Sequence, residues 1–195
     1  MPEKPKNDSK KRARQSDDEA LFLRGIDPNA YERLSVAVDV VLLSVFDEDL
    51  HTILTRRREH PYKDRLALPG GFVRLPESLD DTAARLLRDK LGLTNVFLEQ
   101  LSTFGDPKRD PRMRVISVAY YALVEKARFL AQGERGDAVV IARLRAPKSG
   151  KTGGAVEVLD ASGKVLPIAF DHAEILGLAV KRLLGSMSSR KSTRP

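Results

Sequence analysis

The residues best placed to do chemistry fall in one stretch, Gly70 to Leu93. Gly70 and Gly71 follow Pro69 and precede Phe72, a combination that marks a close backbone approach rather than a regular strand centre. Phe72 is a candidate to stack on a ligand ring, with a buried strand phenylalanine as the plainer alternative. Glu77, Arg85 and Asp89 are charged residues of this stretch to be weighed for a role, and a carboxylate such as Asp89 is the type of oxygen ligand a hard cation takes. Lys90, beside it, is a candidate contact for phosphate. Two further groups of cations suit an anionic ligand. In Arg56-Arg57-Arg58, period-two alternation turns Arg57 away from its neighbours and selects Arg56 and Arg58. In Lys108-Arg109-Asp110-Pro111-Arg112, Arg109 and Arg112 are the candidates.

These residues need elements to hold them. Residues 36–46 (VAVDVVLLSVF) are rich in β-branched and apolar residues and predict a largely buried strand. A polar turn at Asp47-Glu48-Asp49 leads to a returning strand over 51–58. Residues 78–91 (SLDDTAARLLRDKL) predict the best helix of the chain. Ser78 suits the N-cap, Asp80 and Asp81 suit the positive end of the dipole, and Gly92 lies just past the end. Its Leu79, Ala83, Leu86, Leu87 and Leu91 form one apolar stripe. Asp81, Arg85 and Asp89, at steps of four, offer ion pairs along the helix. Strands are expected over 96–104, 115–124 and 138–144, a weak one over 155–159, and a final helix over 171–184. A short helix is possible over 17–23. Strands outnumber helices and no repeat is visible, which indicates an α+β domain with helices packed on a sheet.

The chain has 195 residues, 34 Lys+Arg, 27 Asp+Glu and a net charge of +7. Residues 1–16 carry six basic and two acidic residues, and residues 181–195 carry five basic and none acidic. The 164 residues between them carry 23 basic and 25 acidic residues, so the body is close to neutral. The expected organisation is a basic, disordered N-terminal tail over 1–19, a domain over 20–184 and a basic, disordered C-terminal tail over 185–195. The tails could touch nucleic acid, or could serve only as solubilising ends. Zero cysteines exclude disulfide scaffolds, thiol nucleophiles and Cys-ligated metals. No uninterrupted apolar stretch reaches the ~18 residues a membrane span needs, and no apolar signal region opens the chain, so a cytoplasmic protein is expected.

Two superficial signals carry nothing. Gly150-Lys151-Thr152 looks like the end of a phosphate-binding loop, but Arg145 stands where its first glycine belongs. His51, His60 and His172 lack metal-site spacing, and His172 beside Asp171 reads as a helix start.

Gly71 to Leu93 resembles the Nudix box: Gly71, Glu77, Arg85, Leu87, Gly92 and Leu93 match its frame, and Asp89 is a shortened carboxylate at the first of its paired glutamates. The glutamate that follows the arginine in the family is Leu86 here, and the family's last glutamate is Lys90. Ser35-Val36-Ala37-Val38-Asp39, Ala67 to Val73, and Leu98 through Arg112 extend the resemblance toward ADP-ribose pyrophosphatase-like proteins and the Nudix-related regulators of NAD metabolism. The resemblance implies an α/β/α sandwich with a mixed β-sheet over about residues 20–184, and a homodimer. It also implies recognition of ADP-ribose or an NAD-related nucleoside diphosphate. The regulators carry a winged helix after this domain, and only 11 residues follow 184 here. Glu77 and Arg85 would orient loop and helix. A family member that hydrolyses a pyrophosphate needs divalent cations such as Mg²⁺ held by helix carboxylates four apart. The equivalent pair here is Leu86 and Lys90, which implies binding or sensing with little hydrolysis, with the Lys90 ammonium near the place of the missing cation or Lys90 merely solvated. The alternative is a Mg²⁺-dependent hydrolase, splitting ADP-ribose to AMP and ribose 5-phosphate, with an atypical metal site built on Asp89, Glu77 and Asp80 or Asp81.

Overall fold

A computed structural model describes residues 21–27, 30, 32–133, 136, 138–145 and 156–191, the last six as backbone only. Residues 1–33 and 34–195 form two separate units. In the first, a short helix α1 spans 21–25, with Leu21, Phe22 and Leu23 exposed. The expected tail over 1–19, the Gly150-Lys151-Thr152 segment and residues 192–195 lie outside the described residues.

The second unit is built around β1 (Ser35–Phe46), which is buried on both faces and so reads as a continuous apolar run. Val38, Val40 and Leu42 point to one core cluster, Val41 and Leu43 to the other. On the first face pack helix α2 (Leu79–Leu91), through Ala83, Leu86, Leu87 and Leu91, and α3 (Lys126–Leu130), through Phe129. On the second packs α4 (His172–Lys191), through Ile175, Leu176, Ala179 and Val180. The layers are helix, sheet, helix, as expected.

The sheet is mixed. Strand β6 (Val115–Leu123) runs parallel to β1, and β5 (Glu99–Phe104) pairs antiparallel with β6. On the other side β2 (Asp49–Arg56) pairs with β7 (Val139–Arg145), and β7 with β8 (Glu157–Leu159). Strands β1 and β2 are hydrogen-bonded only near their hairpin, from Leu43↔Thr52 to Phe46↔Asp49. Beyond that they diverge. The short β3 (Leu66–Ala67) pairs with the far end of β2, and β4 (Gly70–Phe72) with the first half of β1. This fork is where the sheet opens.

Three expectations are adjusted. The first two concern ends: β5 starts at Glu99, not 96, and α4 runs to Lys191, so residues 185–191 of the expected C-terminal tail are helical. The third is α3, whose five residues are too few to show a period in the sequence. Helix α2 forms as expected. Asp81 N–H donates to the Ser78 hydroxyl at 3.1 Å, Asp81 carboxylate accepts from Ser78 N–H, and Gly92 takes the left-handed conformation (φ 62°) that closes the C-terminus. No helix among the described residues is long and apolar enough to cross a membrane.

Candidate functional site

The fork between β1 and β2 opens into a cleft of about 560 Å³. Its wall on one side is the loop and strand carrying Gly70, Gly71 and Phe72; on another it is the end of α2 with Asp89 and Lys90; on a third it is the end of β2 with Arg56, Arg57 and Arg58. The loop after β5 contributes Arg109, Asp110 and Arg112, and the start of α4 contributes Phe170 and His172.

Two of the sequence candidates stand outside the cleft wall and instead brace it. Glu77 accepts from Arg85 Nε at 2.7 Å, from Arg85 Nη2 at 2.8 Å and from the Thr82 hydroxyl at 3.0 Å. Arg85 Nη2 also donates to the Phe72 carbonyl at 3.2 Å, so one guanidinium joins helix, loop and β4. The Arg85 hydrogen bonds hold the Glu77 carboxyl down to about 2, with Thr82 adding to the effect. The alternative, ion pairs among Asp81, Arg85 and Asp89 along the helix, does not form. Capping claims Asp81, Glu77 claims Arg85, and Asp89 lies 3.3 Å from Arg88 Nε.

Leu86 is 3% exposed and belongs to the core under the sheet. A Cβ on Gly71 would stand 2.9 Å from its Cδ2, so the leucine fills the space beneath the glycine. One turn on, Lys90 is exposed at the cleft. Loss of hydration along the cleft lowers its pKa, Arg57 and Arg85 lower it further, and Asp39 opposes them. Among the described residues no three His, Asp or Glu side chains converge as a metal site. Asp80 accepts from the Tyr120 hydroxyl at 2.6 Å, Asp81 caps its helix, Glu77 accepts from Arg85 and Thr82, and Asp89 lies 3.3 Å from Arg88 Nε. This donor set does not fit a hard divalent cation, which takes several oxygen ligands at once.

The basic candidates divide by what already occupies them. Arg56 donates to the Asp64 carbonyl at 3.0 Å. Arg57, expected to face away, is half-buried in the cleft, donates to the Pro61 carbonyl at 2.8 Å and lies 4.7 Å over the Phe170 ring. The alternation argument fails because β2 ends at Arg56. Arg58 is exposed on the rim. Arg112 grips Asp110 at 3.0 and 2.7 Å and lies over Phe72 at 5.5 Å and Phe170 at 5.9 Å. Arg109 is not a free cation for a ligand: it is buried and holds Asp171 through two bonds of 2.8 and 2.7 Å. Lys108 does not border the cleft.

The floor was not foreseen. Asp39 sits on the α4 side of β1, in the row of Val41 and Leu43, and is 6% exposed. It accepts from the Ser117 hydroxyl at 2.6 Å and lies 3.6 Å from both Arg109 and His172. Gly70 is required beside it, because a Cβ there would stand 2.0 Å from Asp39 Oδ1. His172 Nδ1 accepts from the Leu68 N–H at 2.9 Å, and complete burial pushes its pKa down, so the ring is neutral. Phe170 holds φ at +54°, a strained conformation for a bulky residue, with its ring against Tyr62 and His172. A single acid inside the otherwise apolar run AVDVVLL of β1 was the signal available for Asp39, since carboxylates are rarely buried without a task.

Comparison with known proteins places these features in context. The NUDIX domain profile matches residues 35–151, more than half of the chain. An ADPR-responsive transcriptional repressor, NtrR, of Acinetobacter baylyi is 30% identical over 167 residues, 85% of this chain and 60% of that protein. An ADP-ribose pyrophosphatase of Methanocaldococcus jannaschii is 33% identical over 90 residues, 46% of this chain and 51% of that protein. The chain thus spans just over half the length of these two curated relatives. Among solved structures, the NUDIX domain of Shewanella oneidensis NrtR complexed with ADP ribose matches with a TM-score of 0.61 and 29% identity, covering 85% of this chain and 98% of that one.

Proposed function

The chain belongs to the NUDIX family, and on that premise we propose that its cleft binds ADP-ribose, or an NAD-related nucleoside diphosphate, and holds it with little hydrolysis. The observation that carries this reading is the exchange at two positions of α2. Leu86 is buried in the core, and Lys90 brings an ammonium to the cleft, at the two positions where the family's box has glutamates. A diphosphate arriving without a metal needs its charge met by the protein. Lys90, Arg57 and Arg58 border the same space as Phe72 and Phe170. Lys90 is exposed at the cleft wall, so its ammonium is within reach of a phosphate oxygen that enters there. The ADP-ribose carried by the related NrtR domain, and the ADPR response of the NtrR relative, support this ligand class.

Calorimetric titration of ADP-ribose with EDTA present tests the role of Lys90. Lys90→Ala is expected to weaken binding tenfold or more, on the order of 1.4 kcal/mol, and an unchanged affinity contradicts it. The pyrophosphatase relative supports the second reading, metal-dependent hydrolysis through an atypical site. That reading expects Mg²⁺-dependent release of AMP and ribose 5-phosphate at an ordinary enzymatic rate.

A further inference from the structure

The cleft floor carries a carboxylate with one oxygen that its neighbours leave open. Arg109 spends both of its short bonds on Asp171 and stands 3.6 Å from Asp39 Oδ2. His172 is neutral, because its Nδ1 is committed to the Leu68 N–H; its Nε2 is 3.6 Å from Asp39 Oδ1. Ser117 donates to Oδ2 alone. Among the described residues no donor lies within hydrogen-bond distance of Oδ1, although the carboxylate is nine-tenths buried and borders the cleft. The glycine at 70 keeps that oxygen uncovered, since any side chain there would collide with it. Unlike Thr52 Oγ1 and Gln132 Oε1, which are sealed without a partner, Oδ1 opens on the cleft, so its donor comes from whatever occupies the cleft.

Depth sorts the remaining cleft groups. Phe72 is 41% exposed and Arg112 lies beside it, so the flat aromatic surface is at the rim. Asp39 is at the floor, 6% exposed, and Lys90 and Arg57 line the same cleft. A base fits the aromatic rim and a diphosphate fits the cations. What reaches the floor must donate hydrogen bonds and carry no negative charge. Adjacent sugar hydroxyls meet both demands, because an ionised carboxylate only accepts and its two oxygens can receive a vicinal pair. Asp or Glu takes ribose hydroxyls in this manner in dinucleotide sites of an unrelated fold.

Resting on the nucleoside diphosphate reading above, we propose that Asp39 is a specificity residue that accepts hydrogen bonds from the hydroxyls of the sugar beyond the diphosphate, and so selects ligands with a neutral, diol-bearing second moiety. A phosphate or carboxylate at that place meets a like charge in a poorly hydrated site and is rejected.

The test compares ADP-ribose with the methyl ester of ADP, which keeps the diphosphate charge and lacks the second sugar, in calorimetric titrations of the full chain. Wild type is expected to prefer ADP-ribose at least tenfold. Asp39→Asn is expected to lose that preference while its affinity for the methyl ester stays within twofold. Equal wild-type affinities, or a variant that keeps the preference or weakens both ligands alike, overturn the assignment to Asp39. If Asp39→Asn does not fold, Asp39→Ser carries the same comparison, with the same results supporting or overturning the assignment. Binding of neither ligand to wild type would instead defeat the nucleoside diphosphate reading, an outcome distinct from equal binding of both.

Discussion

Helix α2 presents two faces that have gone different ways. On the face toward the loop, Thr82 and Arg85 are joined to Glu77, just before the helix, by bonds of 2.7 to 3.0 Å, and Arg85 reaches the Phe72 carbonyl. The opposite side carries Leu86 in the core and, one turn on, Lys90 as a cation at the cleft wall. The bracing that shapes the loop is thus separable from the ligands that would hold a metal. On the reading proposed above, such a site keeps its shape without a metal, because the two tasks fall on different residues.

The contrast sharpens with substitutions four residues apart. Leu86→Ala is expected to cost about 3 kcal/mol of stability, because it empties a buried site beneath Gly71 that the core cannot easily refill. Denaturant unfolding measures this. Lys90→Ala is expected to leave stability within about 0.5 kcal/mol, as surface changes do, while removing the tenfold in affinity stated above. If both changes affected only stability, the cleft face would have decayed rather than been reassigned.

A smaller effect separates the bracing face from both. The folded Glu77 carboxyl titrates near 2, below its unfolded value of about 4.3. Its contribution to stability is therefore complete above the unfolded value and is lost as pH falls through about 2. Glu77→Gln is expected to lower Tm at pH 7, with the gap from wild type closing between about pH 4.5 and 2. A gap independent of pH would mean that Arg85 does not depend on the charge of Glu77.

Much of this architecture was legible in the residues. Ser78, Asp81 and Gly92 announced α2 because capping is local chemistry, and the run 36–46 announced a strand buried on both faces. The box frame fixed Glu77 and Arg85 as a brace. What stayed hidden depends on residues distant in sequence. Asp39, Ser117 and His172 meet only because β1 and β6 run parallel and α4 starts against them, 78 and 133 positions from Asp39. Arg109 looked like a ligand cation because nothing local showed its partner, Asp171, 62 residues away. Arg57 was misassigned because alternation was carried past the end of β2. Phe170 gave no sign at all, since its place in the cleft follows from a backbone turn rather than from a pattern.

The central claim is that this cleft binds its ligand without a metal and scarcely turns it over. The most direct test titrates ADP-ribose into the purified chain in EDTA and then incubates the same mixture with Mg²⁺ or Mn²⁺ while following AMP. Saturable binding in EDTA with no AMP above background is the predicted result. Binding that appears only with metal, accompanied by AMP release at about 1 to 10³ per second, the usual enzymatic range, would contradict it.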